Sequence, residues 1–392
     1  MFTRPIYSND VADPVQIARG AFGYLSAERP DPVPDAAAQA AAAALISAAQ
    51  SAHSFAPDPE AAILMRFAVH DLALMPLGAP HPDAAPMART KAAAALVNLR
   101  RGVIDLSSLY GPDDLPMARL RDPAAPARML SPKSGGGAMP LPADPRNHLS
   151  PASSRMHRAL INLHNMAVDD CDDPGVVAAG PNALFSYARA EVRMLVQWLI
   201  VNRALPALCP KAAMDAVAGG RTPLFTRMVT RMGGGVPPVP FEALLAALPL
   251  ISGSTDNMGA LLDMGRRITL PSGQETVRAV NRALGGRIAE LTDGELRSGP
   301  AAKVMTGAMM AHTPLWLYLL REAEERGEPG YLGPIGGHVA VQSIAGLIMS
   351  DPYCYWLRPG NTGGRWRPED GVLRVNGRPI DSIAWLMAAA TL

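Results

Sequence analysis

Few residues in this 392-residue chain could do chemistry, and its eight histidines lead them. Imidazole is the side chain suited to moving protons near neutral pH. His157 and His164 lie seven apart in SRMHRALINLHN, two helical turns, so they share one face. His70 stands beside Asp71 in the apolar run RFAVHDLALMP, with Arg66 one turn before it. Arg146 lies in the turn-rich stretch Asp144-Pro145-Arg146-Asn147. Spacing alone leaves two readings open. One makes these residues functional; the other makes them core histidines held by hydrogen bonds, and an arginine in a surface ion pair.

The elements that must position them read as helices. Ser150 is suited to cap a helix, Pro151 to its first position, and Met156, Ala159, Leu160, Leu163 and Ala167 form its apolar stripe. That helix stops at the acidic cluster Asp169, Asp170, Asp172 and Asp173. Ala61–Leu74 predicts a second helix, ended before Pro76. Leu184–Leu205 predicts a long one, with Leu184, Ala188, Val192, Leu195, Leu199 and Ile200 on its buried side. Another opens at Thr313-Pro314 and stops near Gly327, and His338–Met349 follows. The tail predicts a hairpin over GVLRVNGRPI, turning at Asn376-Gly377, then a final helix. Residues 1–34 read as an irregular arm, Ala36–Ser51 as an Ala-rich helix, and 112–150 as a long Pro- and Gly-rich loop. The expected fold class is therefore mainly α with few short strands. Residues 1–58 form the arm and the Ala-rich helix, and 59–392 the helical domain.

Composition narrows the partners. A net charge of +1 gives no field to draw nucleic acid or an anionic membrane. Lysine occurs only at 91, 133, 211 and 303, and the excess of arginine does not read as a binding patch. Cys171, Cys209 and Cys354 are odd in number and lack metal-ligand spacing, which suits a reducing compartment. MFTRPIYSND has no apolar signal core, and no 18-residue apolar run exists, so the expectation is a cytoplasmic chain without a membrane span.

Beyond spacing, DPRN followed by MHRALINLHNMAVD resembles the distal-arginine segment and next helix of bacterial members of the animal-type haem peroxidase superfamily. Four further blocks follow that family's order: RFAVHDLALMP (66–76), NLRRGVIDLSSLYG (98–111), LFSYARAEVRMLVQWLIVNRALPAL (184–208) and TPLWLYLLREAEERGEPGYLGPIGGHVA (313–340). The resemblance spans roughly residues 60 to 357. It implies a helical peroxidase fold and haem b. His70 would be the distal base that moves a proton between peroxide oxygens, and Arg146 the cation that stabilises the departing one. Residues that tie haem through esters in secreted relatives are here Val69 and Leu149, so a covalent link is not expected. The resemblance also implies a calcium site of Asp71, Asp105, Ser107 and the backbone carbonyl of Val103. Arg101 takes the place of its threonine. Either that guanidinium points away, or its charge replaces the ion between Asp71 and Asp105; loss of calcium is the expectation.

The proximal side departs furthest. Aligning the family's ligand segment on Pro240-Phe241-Glu242 and Ala246-Ala247 puts Ser252 where a histidine ligates the iron. No histidine occurs between His164 and His312; His312 and His338 match family positions without a ligating role, and Cys209, at the end of the long helix, reads as a small core residue. A neutral hydroxyl donates little electron density to iron. Arg66 replaces a distal-pocket glutamine and, with His70 and Arg146, would make a cationic pocket for a small anionic molecule, unless it pairs at the surface. Two functions follow from this. One is a haem-dependent peroxidase or dioxygenase relative, degenerate or repurposed; the other is a haem-free pseudoenzyme used for binding or assembly.

Overall fold

The computed structural model describes residues 21–26, 55–74, 96, 98–111, 120–131, 142–233, 237–253, 258–298, 305 and 307–391. The expected Ala36–Ser51 helix and most of the N-terminal arm lie outside the described residues. The fold is mainly α, as the sequence predicts. Its longer helices are α1 (Pro59–Leu72), α2 (Pro151–Asp169), α3 (Pro181–Leu199), α4 (Lys211–Ala218), α5 (Pro223–Arg231), α6 (Met258–Arg267), α7 (Gly273–Leu284), α8 (Leu315–Arg326) and α9 (Pro334–Met349). Strands are two to five residues long: β1 (Phe22–Gly23), β2 (Arg121–Asp122), β3 (Ala125–Met129), β4 (Val239–Pro240), β5 (Arg374–Val375) and β6 (Arg378–Pro379). Among the described residues no helix is long and apolar enough to cross a membrane. The chain divides into two compact units, one built from Val103–Arg203 and Asp351–Leu392, the other from Arg19–Gly102 and Ala204–Ser350.

In the first unit α2 packs along α3, and the C-terminal turns Ile383–Ala388 and Ala389–Thr391 lie against α2. Ser150 caps α2 by accepting from Ser153 N, and Pro151 opens it. Its stripe of Met156, Ala159, Leu160, Leu163 and Ala167 is completely buried. Burying such a side chain contributes about 1.5–3 kcal/mol for the larger ones. α3 starts earlier than its apolar pattern suggests, because Gly180 adopts a positive φ of 95° and Pro181 then enters the helix. Past Leu199 the chain keeps turning as a π segment, Ile200–Ala204. The stretch 112–150 is not all loop. β2 and β3 pair antiparallel within it, β3 packs on α2 and α3, and Pro145–His148 forms a 3₁₀ turn. The tail hairpin forms as expected, with Asn376 and Gly377 both at positive φ.

The second unit is assembled around α9, whose residues Ile335–Ile348 are all buried. α4, α5, α7, α8 and the π segment Ala243–Ala247 surround it. A helix apolar on every side must be covered in this way. α9 begins at Pro334, four residues before the predicted His338, because Glu322 of α8 receives the N–H groups of Ile335 and Gly336 at 3.0 Å. Thr313 does not cap α8. Pro314 holds that place, while the Thr313 hydroxyl donates to Met309 O. The described part of the arm is clasped: β1 pairs parallel with β4, the Tyr24 hydroxyl donates to Ile268 O, and Glu242 accepts from Ser26 N. α1 ends at Leu72 because the Asn98 amide donates to Leu72 O and accepts from Leu74 N, replacing the helical bonds on both sides of the exit.

Candidate functional site

The second unit brings Arg66 and Ser252 together. Helical periodicity puts Arg66 one turn before His70 on α1. His70 and its neighbour Asp71 are buried, and the His70 ring lies 6.2 Å from that of Phe67. Ser252 closes a helical run in which the π segment Ala243–Ala247 passes into Leu248–Ile251. Pro249, inside that run, has no N–H to give to the carbonyl four residues back. The Ser252 hydroxyl donates to Pro249 O at 3.4 Å, while its backbone N–H returns to Leu248 O. The carbonyls left open at this helix end are taken by Arg66, whose Nε and Nη2 donate to Ser252 O at 3.2 and 2.9 Å, and Nη2 reaches Gly253 O at 3.5 Å. A cation at the C-terminal end of a helix also answers its dipole.

The half-buried Arg66 guanidinium is thus bonded through Nε and Nη2 to main-chain carbonyls. Ser252 does not fit as an axial ligand to haem iron. Its hydroxyl is buried, neutral and turned back on its own helix.

The first unit positions Arg146. Asp144 caps the 3₁₀ turn by accepting from Arg146 N at 2.9 Å, and both its carboxylate oxygens bind the same residue's guanidinium, at 3.0 Å to Nε and 2.7 Å to Nη2. Asp144 is buried, and Arg146 keeps about a third of its side chain exposed. Asn147 anchors the turn by donating to Ser108 O at 2.9 Å. The Asp-x-Arg spacing was in the sequence, but nothing in the sequence marked Asp144 as the residue that orients Arg146.

His148 Nε2 and His157 Nδ1 meet at 2.5 Å. Burial first, and His148 second, push the His157 imidazole down to about 3; burial also lowers His148. His164 accepts from the Tyr110 hydroxyl at Nδ1 (3.1 Å) and donates from Nε2 to Ala127 O (3.0 Å), with burial holding it at about 4. Both histidines of α2 are thus core residues with hydrogen-bond partners.

Of the residues proposed for calcium, Asp105 accepts from Ser107 N at 3.0 Å, and Val103, Asp105 and Ser107 are buried, as is Asp71. Arg101 is exposed. His70 belongs to the second unit and Arg146 to the first, and Asp71 and Asp105 are divided in the same way. Among the described residues no three His, Cys, Asp or Glu side chains gather in a group that could hold a metal ion. Val69 is half-buried and Leu149 exposed.

The class that these observations define is a mainly α protein with a buried histidine and a carbonyl-bound arginine on one helix. No protein-family model matches the chain, and no curated protein matches it.

Proposed function

We propose that the chain is a degenerate, repurposed member of the animal-type haem peroxidase superfamily, in which the helical scaffold serves small-molecule binding or assembly and peroxide turnover is lost. One observation carries this reading: Ser252, at the position aligned with the iron-ligating histidine, is buried with its hydroxyl bonded to Pro249 O. Such a neutral hydroxyl offers iron little of the electron density that O–O cleavage requires. Absence of ester-forming carboxylates at Val69 and Leu149 removes the other means of retaining haem b. On this reading calcium is lost as well, from the former site of Asp71, Val103, Asp105 and Ser107, with Arg101 in the place of a ligand. Its three cysteines are free thiols, which supports a reducing, cytoplasmic setting.

The test is one absorbance spectrum of protein purified from haem-supplemented cells, together with a peroxidase assay. We expect no strong Soret band and no turnover above that of free hemin. Stoichiometric haem with robust peroxide turnover would overturn the proposal.

A second reading, a haem-dependent peroxidase- or dioxygenase-type enzyme, draws on the Asp144–Arg146 geometry. A guanidinium already oriented by a buried carboxylate is what stabilisation of a departing oxygen needs. On that reading haem b would be held by a ligand other than Ser252.

A further inference from the structure

We infer that Arg66 is a lock. It closes the slot between α1 and the Ser252 helix end, so exclusion of haem rests on Arg66 as well as on the missing ligand. This rests on the family reading above, in which a haem plane would separate the His70 side from the Ser252 side. Groups on opposite faces of a flat macrocycle must stand roughly 7 Å apart, two van der Waals contacts of about 3.5 Å each. Arg66 Nη2 lies 2.9 Å from Ser252 O. No plane passes between those atoms.

The backbones agree with the side chains. Residues of α1 and of Leu248–Ile251 approach to within 8 Å between Cα atoms. Helices in direct packing lie about 8–10 Å apart at their axes. Arg66 Nε and Nη2 share one carbonyl, a fork that the single point charge of a lysine cannot reproduce. Gly253, at a φ of +62°, turns the chain so that its own carbonyl also meets Nη2. At this position a glutamine lacks the length and the second donor arm of the guanidinium.

Full-length wild type, Arg66→Gln, Ser252→His and the double variant should be titrated with hemin and melted without it. We expect wild type and both single variants to give only the spectrum of free hemin, and the double variant to show a Soret band that saturates at one hemin per chain. Arg66→Gln alone should lower the melting temperature by about 2–4 °C. If Ser252→His takes up hemin as well as the double variant does, or if a folded double variant takes up none, Arg66 is not the lock. If the double variant fails to fold, the melting of Arg66→Gln decides, and an unchanged midpoint refutes the bridge. Stoichiometric hemin on wild type is a different failure: it overturns the haem-free reading itself, and with it the closed slot.

Discussion

Asp144 holds Arg146, two residues further on, with both oxygens of a buried carboxylate, and the same carboxylate caps the turn that Arg146 belongs to. Asp144 therefore contributes to the orientation of the Arg146 guanidinium from within the same turn.

Asp144→Ala removes the cap and the ion pair together. We expect a loss of about 1–2 kcal/mol, typical of a lost N-cap, measured as a lower midpoint in urea unfolding. Asp144→Asn should lose less, because an amide oxygen still accepts from Arg146 N. Equal losses for both would assign the effect to charge and not to capping.

Acid should destabilise the protein through its buried histidines. Burial lowers His157 to about 3, and His164 and His338 to about 4, against an unfolded value near 6.5. The folded state then binds fewer protons than the unfolded chain across that interval, so stability rises with pH there. It is complete above about pH 6.5 and is lost as pH falls toward 4. Melting temperatures recorded from pH 4 to 7 should climb by several degrees; a flat profile would contradict neutral, buried imidazoles.

Glu322 opposes that trend. Burial raises its carboxyl to about 7, despite the N–H groups of Ile335 and Gly336 that favour the charged form. Between its unfolded value near 4.5 and pH 7 the folded state holds more protons, so this residue's contribution declines as pH rises through that window. The stability difference between wild type and Glu322→Gln should shrink from pH 4.5 to 7, on the order of 2–3 kcal/mol in all. A difference independent of pH would show that the carboxylate stays ionised throughout.

The sequence by itself determined the helical class, the α2 stripe, the Ser150 cap and the Asn376-Gly377 hairpin. Each is set by residues within one or two turns of one another, where periodicity and capping chemistry act directly. It also placed His157 and His164 on one face of α2. What those imidazoles do was decided elsewhere, by Tyr110 and Ala127 for one and by His148 for the other. The early start of α9 depends on Glu322, a buried carboxylate 13 residues from Ile335. Arg66 shows the limit best. The resemblance left it between a cationic pocket and a surface pair, and the partner found is the carbonyl of Ser252, 186 residues away. A main-chain carbonyl has no letter in a sequence. Whether it is open or taken depends on which helix end the tertiary packing brings beside the guanidinium, and only the folded chain decides that.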